Sequence, residues 1–435
     1  MYLLNYFYFI VITGLGIKFL FQRYGIVRHP LNRKQLLSLD GPELFWILTF
    51  STGLLAFSAP GVLDLMAVRL LVLEIFCLIG LFIVKQKVVW NAVSIFYIFY
   101  IIWLLVGLFY SPSIVYGLRV IMKYLFPLGL MLFASAVVRE GEVFLKAGLC
   151  ARWVAVVCLV FSFIPGAEVL FPGVFWHGTA RAIHFISICI FSLALYFYGG
   201  KDRRDLYYCI LFALPCFIWV FRTSMMGTIL ALVAFFFFRY RLKSLPIIIG
   251  LFLLFIISIF TIPRLKQKMF KDDGVSIEQL QKGDINKDNI ESNARFAMWE
   301  HLMGSFYNNK EMLGSGTGCT QNYMYTHFIF GGLKVPHSDY VQILCDNGMV
   351  GLILYLLVGI SIIFHSVLIY NRSQWFIVRI CAITTGSSMA GIMLTLYSDN
   401  VVNYSMATLS VPFGFYGMML GLNKKIDDIS SYSSL

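Results

Sequence analysis

The chain contains 435 residues, of which 59% are hydrophobic and only 13% are charged. Soluble domains contain about 45–50% apolar and about 25% charged residues, so this composition excludes a soluble enzyme, a disordered protein and a disulfide scaffold. The net charge of +12 indicates membrane topology rather than nucleic-acid binding, because the basic residues cluster in alternate loops between apolar segments.

Apolar segments long enough to cross a bilayer recur along the whole chain. They predict an all-α polytopic membrane protein with about 12–13 transmembrane helices. The predicted spans are 3–21, 42–59, 65–84, 90–110, 118–137, 147–164, 180–199, 207–221, 223–238, 245–262, 347–370, 377–397 and 404–422.

Lys and Arg orient these spans, since cytoplasmic loops carry an excess of both residues. Basic loops alternate with loops that contain no Lys or Arg, near 60–64, 111–117, 165–179 and 398–403. One orientation fits throughout, with the basic loops in the cytoplasm and the long hydrophilic loop outside. The predicted divisions are an N-terminal helix bundle (1–262), a large external loop with short helices (263–346), C-terminal helices (347–422) and a cytoplasmic tail (423–435).

Some cations depart from this charge pattern. Five of them come near the external membrane face: Arg69, Arg119, Lys123 and Arg181 within predicted spans, and Arg222 in a tight turn between two spans. Charges at membrane depth are expensive and usually mark a functional pathway or a paired structural group. The five cations together suggest an anion-binding site. The alternative is that each one snorkels to the surface or pairs with a carboxylate.

Most of the cysteines lie in apolar segments, where Cys behaves as a small hydrophobic residue. Cys319 and Cys345 are near the outer face, and two outcomes stay open for them: a disulfide in an oxidising compartment, or two free thiols. No CxxC or Cys/His ligand spacing occurs. We therefore expect no metal site and no cofactor.

The external loop begins with a charged, turn-rich stretch over 263–292, which predicts a solvated segment. Asp284, Asn286 and Asp288 have the alternate spacing of a calcium loop, but the glycine that such a loop needs at its sixth position is missing. We therefore expect no calcium site here.

Residues 291–307 predict an amphipathic helix. Trp299, Leu302, Met303 and Phe306 fall on one face, with the spacing i, i+3, i+4 and i+7. Arg295 comes four residues before Trp299 and lies on the same apolar face. A guanidinium on the packed side needs an anionic partner, which is either a structural carboxylate or a substrate phosphate.

The end of the external loop contains two further motifs. The sequence EMLGSGTGC (311–319) allows tight turns, but it lacks the features of a phosphate loop or a dinucleotide fold. Pro336 predicts a helix start with His337 in the first turn, where a neutral imidazole can act as a general base. The alternative for His337 is a polar interfacial residue. Asp346, Asn347 and Gly348 predict a break before the next membrane helix.

These residues together resemble the O-antigen ligase and O-antigen polymerase superfamily of bacterial envelope glycosyltransferases. The resemblance depends on Arg181 and, in chain order, on R-T-S-M-M-G (222–227), N-A-R-F-A-M-W (293–299), L-G-S-G-T-G (313–318) and H-S-D-Y-V-Q-I-L-C-D-N-G-M-V-G (337–351). The many-helix hydropathy and the single large external loop before the last helices are also similar to that family.

The resemblance implies transfer of a glycan from an undecaprenyl-diphosphate carrier at the periplasmic face of the inner membrane. It gives Arg181, Arg222 and Arg295 the role of binding the diphosphate and places His337 near the acceptor. Asp339 is the second candidate for the catalytic base. It ranks behind His337 because it lies about 200° round the helix from it and is less suited to contact the same hydroxyl. The expected partners are lipid-linked glycans, the bilayer and a chain-length regulator protein, and no nucleic acid.

A polymerase that joins lipid-linked repeat units is the favoured function. The first alternative is a ligase that moves the finished chain to lipid A-core. The second is a transporter or flippase for the same lipid, which predicts charges at the bilayer midplane and broken helices.

Overall fold

The computed structural model describes most of the chain from residue 87 onward. The described residues are 24–28, 36–39, parts of 71–82, 87–138, 140–162, 178–271, 295–327, 333–404 and 406–433. The predicted spans 3–21 and 42–59, the calcium-like spacing at 284–291 and Arg69 therefore lie outside the described residues, and the span 65–84 is described only in part.

The N-terminal part contains an antiparallel pair of strands, β1 (Tyr24–Arg28) and β2 (Leu36–Leu39). Arg28 pairs with Leu36, and the pairing ends at Tyr24 and Leu39. The sequence predicts only helices, so this short pair of strands is a local addition to the predicted all-α fold. Gly25, Ile26 and Val27 combine a flexible residue with two β-branched ones, a composition that suits a short strand better than a helix turn.

Helices form most of the rest of the described chain. The first group is α1 (Ala92–Leu108), α2 (Ile114–Val137), α3 (Gly141–Ser162), α4 (Gly178–Tyr198), α5 (Arg203–Ile218), α6 (Arg222–Tyr240) and α7 (Leu245–Thr261). The second group is α8 (Pro263–Met269), α9 (Arg295–Phe306), α10 (Cys319–His327), α11 (Asp339–Arg372), α12 (Phe376–Ser398), α13 (Val401–Tyr404) and α14 (Met406–Ser433). A short 3-10 helix, Arg241–Ser244, connects α6 to α7.

The helices confirm an all-α polytopic membrane protein. Within the described residues, four helical stretches are long and apolar enough to cross a membrane: Ile114–Val137, Arg222–Thr261, Asp339–Arg372 and Phe376–Ser398. Two shorter apolar helices cover Ala92–Leu108 and Ala182–Tyr198. The stretch Arg222–Thr261 has 40 residues, far more than the ~20 that one crossing needs, and it contains both α6 and α7.

Small residues bring the central helices close together. A side chain at Gly391 of α12 would collide with the backbone carbonyl of Gly227 in α6, and one at Gly417 of α14 would collide with the carbonyl of Met131 in α2. Such close contacts are a common way for membrane helices to associate. The contact between α6 and α12 places the start of α6 beside the end of α12.

The helix that follows the external loop differs from the prediction in two ways. First, α11 begins at Asp339 rather than at Pro336, because the Ser338 hydroxyl accepts a hydrogen bond from the Val341 amide at 3.2 Å and so caps the helix. His337 thus lies outside the helix. Second, the short helix predicted before the break and the membrane span predicted from 347 form one element, α11, with the break inside it. The predicted break is confirmed at Gly348, where the backbone is non-helical with φ +66°.

The C-terminal segment also differs from the prediction. The predicted span ends at 422, whereas α14 continues as a helix to Ser433, into the predicted tail 423–435. No proline or glycine follows Gly421 in the sequence, so no residue with a strong tendency to end a helix occurs there.

Candidate active site

Three segments that are far apart in the sequence meet at the end of α12. The meeting point, here called the joint, consists of Ser398, Asp399 and Asn400, which connect α12 to α13. The start of α6, the start of α9 and the residues before α11 all contact it. Segments that are spread along the sequence from Thr223 to Asn400 therefore share one place in the fold.

Arg295, the first residue of α9, lies directly against the joint. Its Nη1 atom donates a hydrogen bond to the Ser398 carbonyl at 2.5 Å. The sequence predicts a carboxylate or a substrate phosphate as the partner, and the structure instead provides a neutral carbonyl. Among the described residues, no carboxylate makes an ion pair with Arg295. The backbone carbonyl thus orients the guanidinium without neutralising its charge.

The apolar face of α9 explains how Arg295 is positioned. Met298 and Leu302 are buried with Met324 and Cys345, and Trp299, Met303 and Phe306 pack beside them. The predicted amphipathic helix is therefore confirmed over the described part, with Met298 as an additional buried residue.

His337 approaches the joint from the other side. Its Nδ1 atom is 3.6 Å from Oδ1 of Asp399, and its side chain is 18% exposed whereas that of Asp399 is 4% exposed. A distance of 3.6 Å is too long for a hydrogen bond, but contacts of this kind often tighten when substrate binds. The imidazole thus has a buried carboxylate beside one nitrogen and keeps partial access to solvent.

The backbone holds His337 in an uncommon conformation. Its φ angle is +52°, in the left-handed region that non-glycine residues rarely occupy. The indole Nε1 of Trp299 donates to the neighbouring Pro336 carbonyl at 2.6 Å, which fixes the chain just before the histidine. Strained backbone of this kind tends to occur at functional sites, so the conformation supports a functional role for His337.

Asp339 contacts the joint through its carboxylate and its backbone. Its side chain accepts hydrogen bonds from Asn400 Nδ2 and from the Val402 amide, both at 3.2 Å, and its amide donates to the Asp399 carbonyl at 3.2 Å. The residue is only 1% exposed. These contacts suit a residue that positions the joint more than one that receives a proton from substrate.

Arg222 begins α6, and the next residue reaches the joint. The Thr223 hydroxyl is 3.0 Å from the Ser398 hydroxyl. The turn before Arg222 contains Val220 with φ +54°, which is an outlier for a β-branched residue. The predicted turn between two spans is confirmed, and it brings Arg222 within one residue of a direct contact with the joint.

The remaining predicted cations lie elsewhere on the helices. Arg119 of α2 lies over the ring of Tyr116 at 5.2 Å, and Tyr116 in turn packs against Tyr325 of α10. Lys123 lies one turn further along α2 and is buried. Arg181 belongs to the first turn of α4, and its side chain is outside the described part of the structure.

Sequence reasoning missed Asp399. One signal in the sequence was available. Asp399 lies in an external connection that contains no Lys or Arg itself, at the membrane face where the unusual cations are predicted, so a carboxylate there is expected to have cationic neighbours. No local motif distinguishes the residue, since its contact with His337 joins positions 62 residues apart in the chain (399 − 337).

The glycine-rich sequence forms a second, separate contact with α11. Its backbone amides bind a carboxylate of the protein itself: Gly318 donates to Oδ2 of Asp346 at 3.0 Å, and Thr320 donates to Oδ1 at 2.8 Å. Gly318 has φ +84°, and a side chain there would collide with the backbone at Gly117. The sequence 313–318 is therefore used to connect the external loop to the helices.

The two outer cysteines take part in this second contact as free thiols. The Cys319 thiol donates to Oδ1 of Asp346 at 3.1 Å. Burial and the neighbouring Asp346 raise the pKa of the Cys319 thiol well above its usual range. Cys319 therefore stays protonated and unreactive at neutral pH.

The described residues contain no group of three or more His, Cys, Asp or Glu side chains that could hold a metal ion. The ionisable groups that the structure brings together at the joint are the Arg295 guanidinium, the His337 imidazole and the carboxylates of Asp399 and Asp339. This combination, at the end of a membrane helix, is suited to proton transfer beside an anionic ligand.

The protein-family comparison agrees with this class of site. Residues 207–356 match the family model described as O-antigen ligase. The match confirms the resemblance to the O-antigen polymerase and ligase superfamily over this segment, which includes Arg222, Arg295 and His337. No curated protein matches the chain. The family match supports a glycosyltransferase-like function in O-antigen processing, and the joint at 398–400 lies beyond the matched residues.

Proposed function

We propose that the protein polymerises undecaprenyl-diphosphate-linked oligosaccharide repeat units into O-antigen or a related surface polysaccharide. The reaction takes place at the periplasmic face of the inner membrane, since the Lys/Arg pattern puts the external loop on that side. The observation that carries the proposal is the meeting of Arg295 and His337 at one joint, Ser398–Asn400.

Arg295 and Arg222 bind the diphosphate of the donor. A lipid diphosphate is a good leaving group when its negative charge is stabilised, and a guanidinium binds two phosphate oxygens at once. Arg295 is suited to this role because its described partner is the neutral Ser398 carbonyl. The arginines then supply stabilisation that many phosphate enzymes obtain from a metal ion.

His337 activates the acceptor. The Asp399 carboxylate beside Nδ1 favours the tautomer with the proton on that nitrogen, so Nε2 is the basic atom. Nε2 takes the proton from an acceptor sugar hydroxyl as the oxygen attacks the anomeric carbon of the donor. The bond from that carbon to the phosphate oxygen breaks, and undecaprenyl diphosphate leaves. A single displacement of this kind inverts the anomeric configuration.

A ligase that transfers the finished chain to lipid A-core is the second candidate, and the description of the matched family favours it. A transporter or flippase for the same lipid is the third. It receives less support, because the described polar contacts of Arg295 and His337 lie at helix ends rather than at the middle of the helices.

Reconstitution separates the polymerase from the ligase. The purified protein is placed in liposomes that contain the cell's own lipid-linked repeat unit, with and without lipid A-core. A ladder of longer lipid-linked chains without lipid A-core supports the polymerase. A product that forms only with lipid A-core contradicts the polymerase and supports the ligase, and the absence of product in both cases contradicts glycan transfer.

Labelling from one side of the membrane tests the orientation. A cysteine introduced at Asn309, in the external loop, should react with a membrane-impermeant maleimide added outside. A cysteine at Asn371, near the end of α11, should react only after the membrane is opened. Reaction of both positions from the same side contradicts the proposed topology.

A further inference from the structure

A cavity of about 630 Å³ lies beside the second contact, away from the joint. Its wall consists of Tyr110, which follows α1, and the segment 308–314, which follows α9. The mechanism proposed above does not use any of these residues. The volume is in the range of small-molecule sites, and the cavity opens to the outside of the protein.

The backbone around this cavity is held firmly. The Tyr110 hydroxyl donates to the Leu313 carbonyl at 2.8 Å. The Met349 amide donates to the Glu311 carbonyl at 2.8 Å, and the Gly314 amide donates to the Lys310 carbonyl at 2.7 Å. The loop therefore has a fixed shape although its side chains are exposed, which is the arrangement that a preorganised binding site requires.

The cavity lies on the same side of the protein as the joint. The first two turns of α11 connect them. The joint contacts Asp339 at the start of this segment, and the backbone that follows the cavity wall contacts Asp346 at its end. Seven residues of helix cover about 10 Å. The distance is too large for the cavity to hold the reacting atoms, but it is suitable for a more distant part of the same substrate.

The side chains in the wall are suited to a sugar. Asn308 and Asn309 have exposed amides, each of which can donate and accept hydrogen bonds. Lys310 and Glu311 have opposite charges, so the wall has no excess of cations that would select a diphosphate. Tyr110, Met312 and Leu313 are 39%, 60% and 52% exposed, so the wall also has a large apolar surface that includes part of an aromatic ring. Amides and an aromatic surface together match the hydroxyl groups and the C–H faces of a saccharide.

We propose that this cavity binds the oligosaccharide of the lipid-linked substrate, at sugar residues away from the reacting one. The inference deepens the proposed glycan transfer and rests on it. The cavity would keep a long glycan aligned while its end reacts at His337, and it would contribute to substrate affinity more than to the chemical step.

The test uses the full-length protein in nanodiscs and two kinds of variant. Asn308→Ala/Asn309→Ala removes the amides, and Asn309→Trp fills the space. Gln267→Ala is the matched control, since Gln267 is an exposed amide on α8 of the same loop. The probe is the water-soluble repeat-unit oligosaccharide released from its lipid carrier by mild acid, and its binding is measured by calorimetry.

We expect the wild type and Gln267→Ala to bind the probe alike. Both cavity variants should bind it at least about tenfold more weakly, the double variant because two hydrogen bonds are lost and Asn309→Trp because the indole occupies the space. In transfer assays the same variants should raise KM by about tenfold and leave kcat within about twofold of the wild type.

The outcomes separate this proposal from the proposed function. Binding that the cavity variants weaken, in a protein that transfers no glycan, supports the cavity and contradicts the transferase. Transfer with wild-type binding and KM in both cavity variants overturns the cavity and leaves the transferase standing. Absence of binding by the wild type also overturns the cavity. Thermal unfolding shows whether each variant is folded. If the double variant Asn308→Ala/Asn309→Ala is unfolded, Asn309→Trp alone provides the test.

Discussion

Two buried carboxylates connect the external loop to the membrane helices, and they differ in what they face. Asp346 accepts hydrogen bonds from Gly318, Cys319 and Thr320, all of them structural groups. Asp399 instead faces the partly exposed imidazole of His337. A carboxylate surrounded by fixed donors stabilises the fold, whereas one beside a titratable ring can assist proton transfer. The more conspicuous motif, the glycine-rich one, thus belongs to the structural contact.

The largest expected effect comes from removing the imidazole at the joint. His337→Gly should reduce glycan transfer by about 10²–10⁴, the usual effect of losing a general base. Glycine tolerates the φ of +52° at least as well as histidine, so the protein should still fold and insert. The measurement is the chain-length distribution of surface polysaccharide in cells that carry only the variant, with the protein level checked.

The control for this experiment is His301→Ala, which removes another histidine of the external loop. His301 is exposed on α9 and contacts Tyr323 rather than the joint. It should give a wild-type ladder. A wild-type ladder from His337→Gly would falsify the assignment of the base.

Asp399→Asn should have the next largest effect, a fall in kcat of about 10²-fold. Asparagine keeps the size of the side chain and an oxygen that can accept from the Asn400 amide, which now bonds to Asp399 at 2.9 Å. It loses the charge that selects the His337 tautomer. Kinetics with purified protein check this, and a variant with wild-type kcat would exclude Asp399 from the mechanism.

Arg295→Lys tests the diphosphate site. Lysine keeps the positive charge but loses the planar fork of the guanidinium, so kcat/KM for the lipid-linked donor should fall about 10–100-fold. We expect a similar loss for Arg222→Lys. Arg264→Lys is the control, because Arg264 is exposed on α8. Full activity of both Arg295→Lys and Arg222→Lys would remove these residues from the site.

Asp346→Ala should act on stability instead of chemistry. The change leaves the buried amides of Gly318 and Thr320 without acceptors, and each such group costs about 1–3 kcal/mol. Thermal unfolding in detergent should occur at a clearly lower temperature, while transfer per folded molecule stays within a few-fold of the wild type. Normal stability together with lost activity would contradict the structural role of Asp346 and would instead indicate a role in the reaction.

The smallest effect should come from reducing agent. Cys319 and Cys345 are free thiols, so reductant should change neither the unfolding temperature nor the activity. Alkylation of the denatured, unreduced protein followed by mass spectrometry should find the label on both cysteines. A disulfide-linked pair of peptides would contradict this prediction, because it would show that Cys319 and Cys345 are oxidised in the second contact.

The local features of this chain could be predicted from its sequence. The apolar face of α9, the turn before Arg222 and the break at Gly348 each depend on residues within a few positions of one another. Helical periodicity and chain-breaking residues give these features directly.

The joint could not be predicted, because it depends on contacts between distant residues. Arg295 and Ser398 are separated by 103 positions, and no periodic signal connects them. Pro336 predicts an earlier start for α11, whereas the Ser338 cap places the first helical residue at Asp339. The acceptor for the glycine-rich amides was also non-local, since Asp346 follows Gly318 by 28 residues.

In the proposed mechanism, His337, oriented by Asp399, assists a single displacement at the anomeric carbon. The most direct test is NMR of the new glycosidic bond made by purified protein from lipid-linked repeat units of known anomeric configuration, for the wild type and for His337→Gly. We expect an inverted linkage from the wild type and almost no product from His337→Gly. A retained configuration, or an equal amount of product from both proteins, would contradict it.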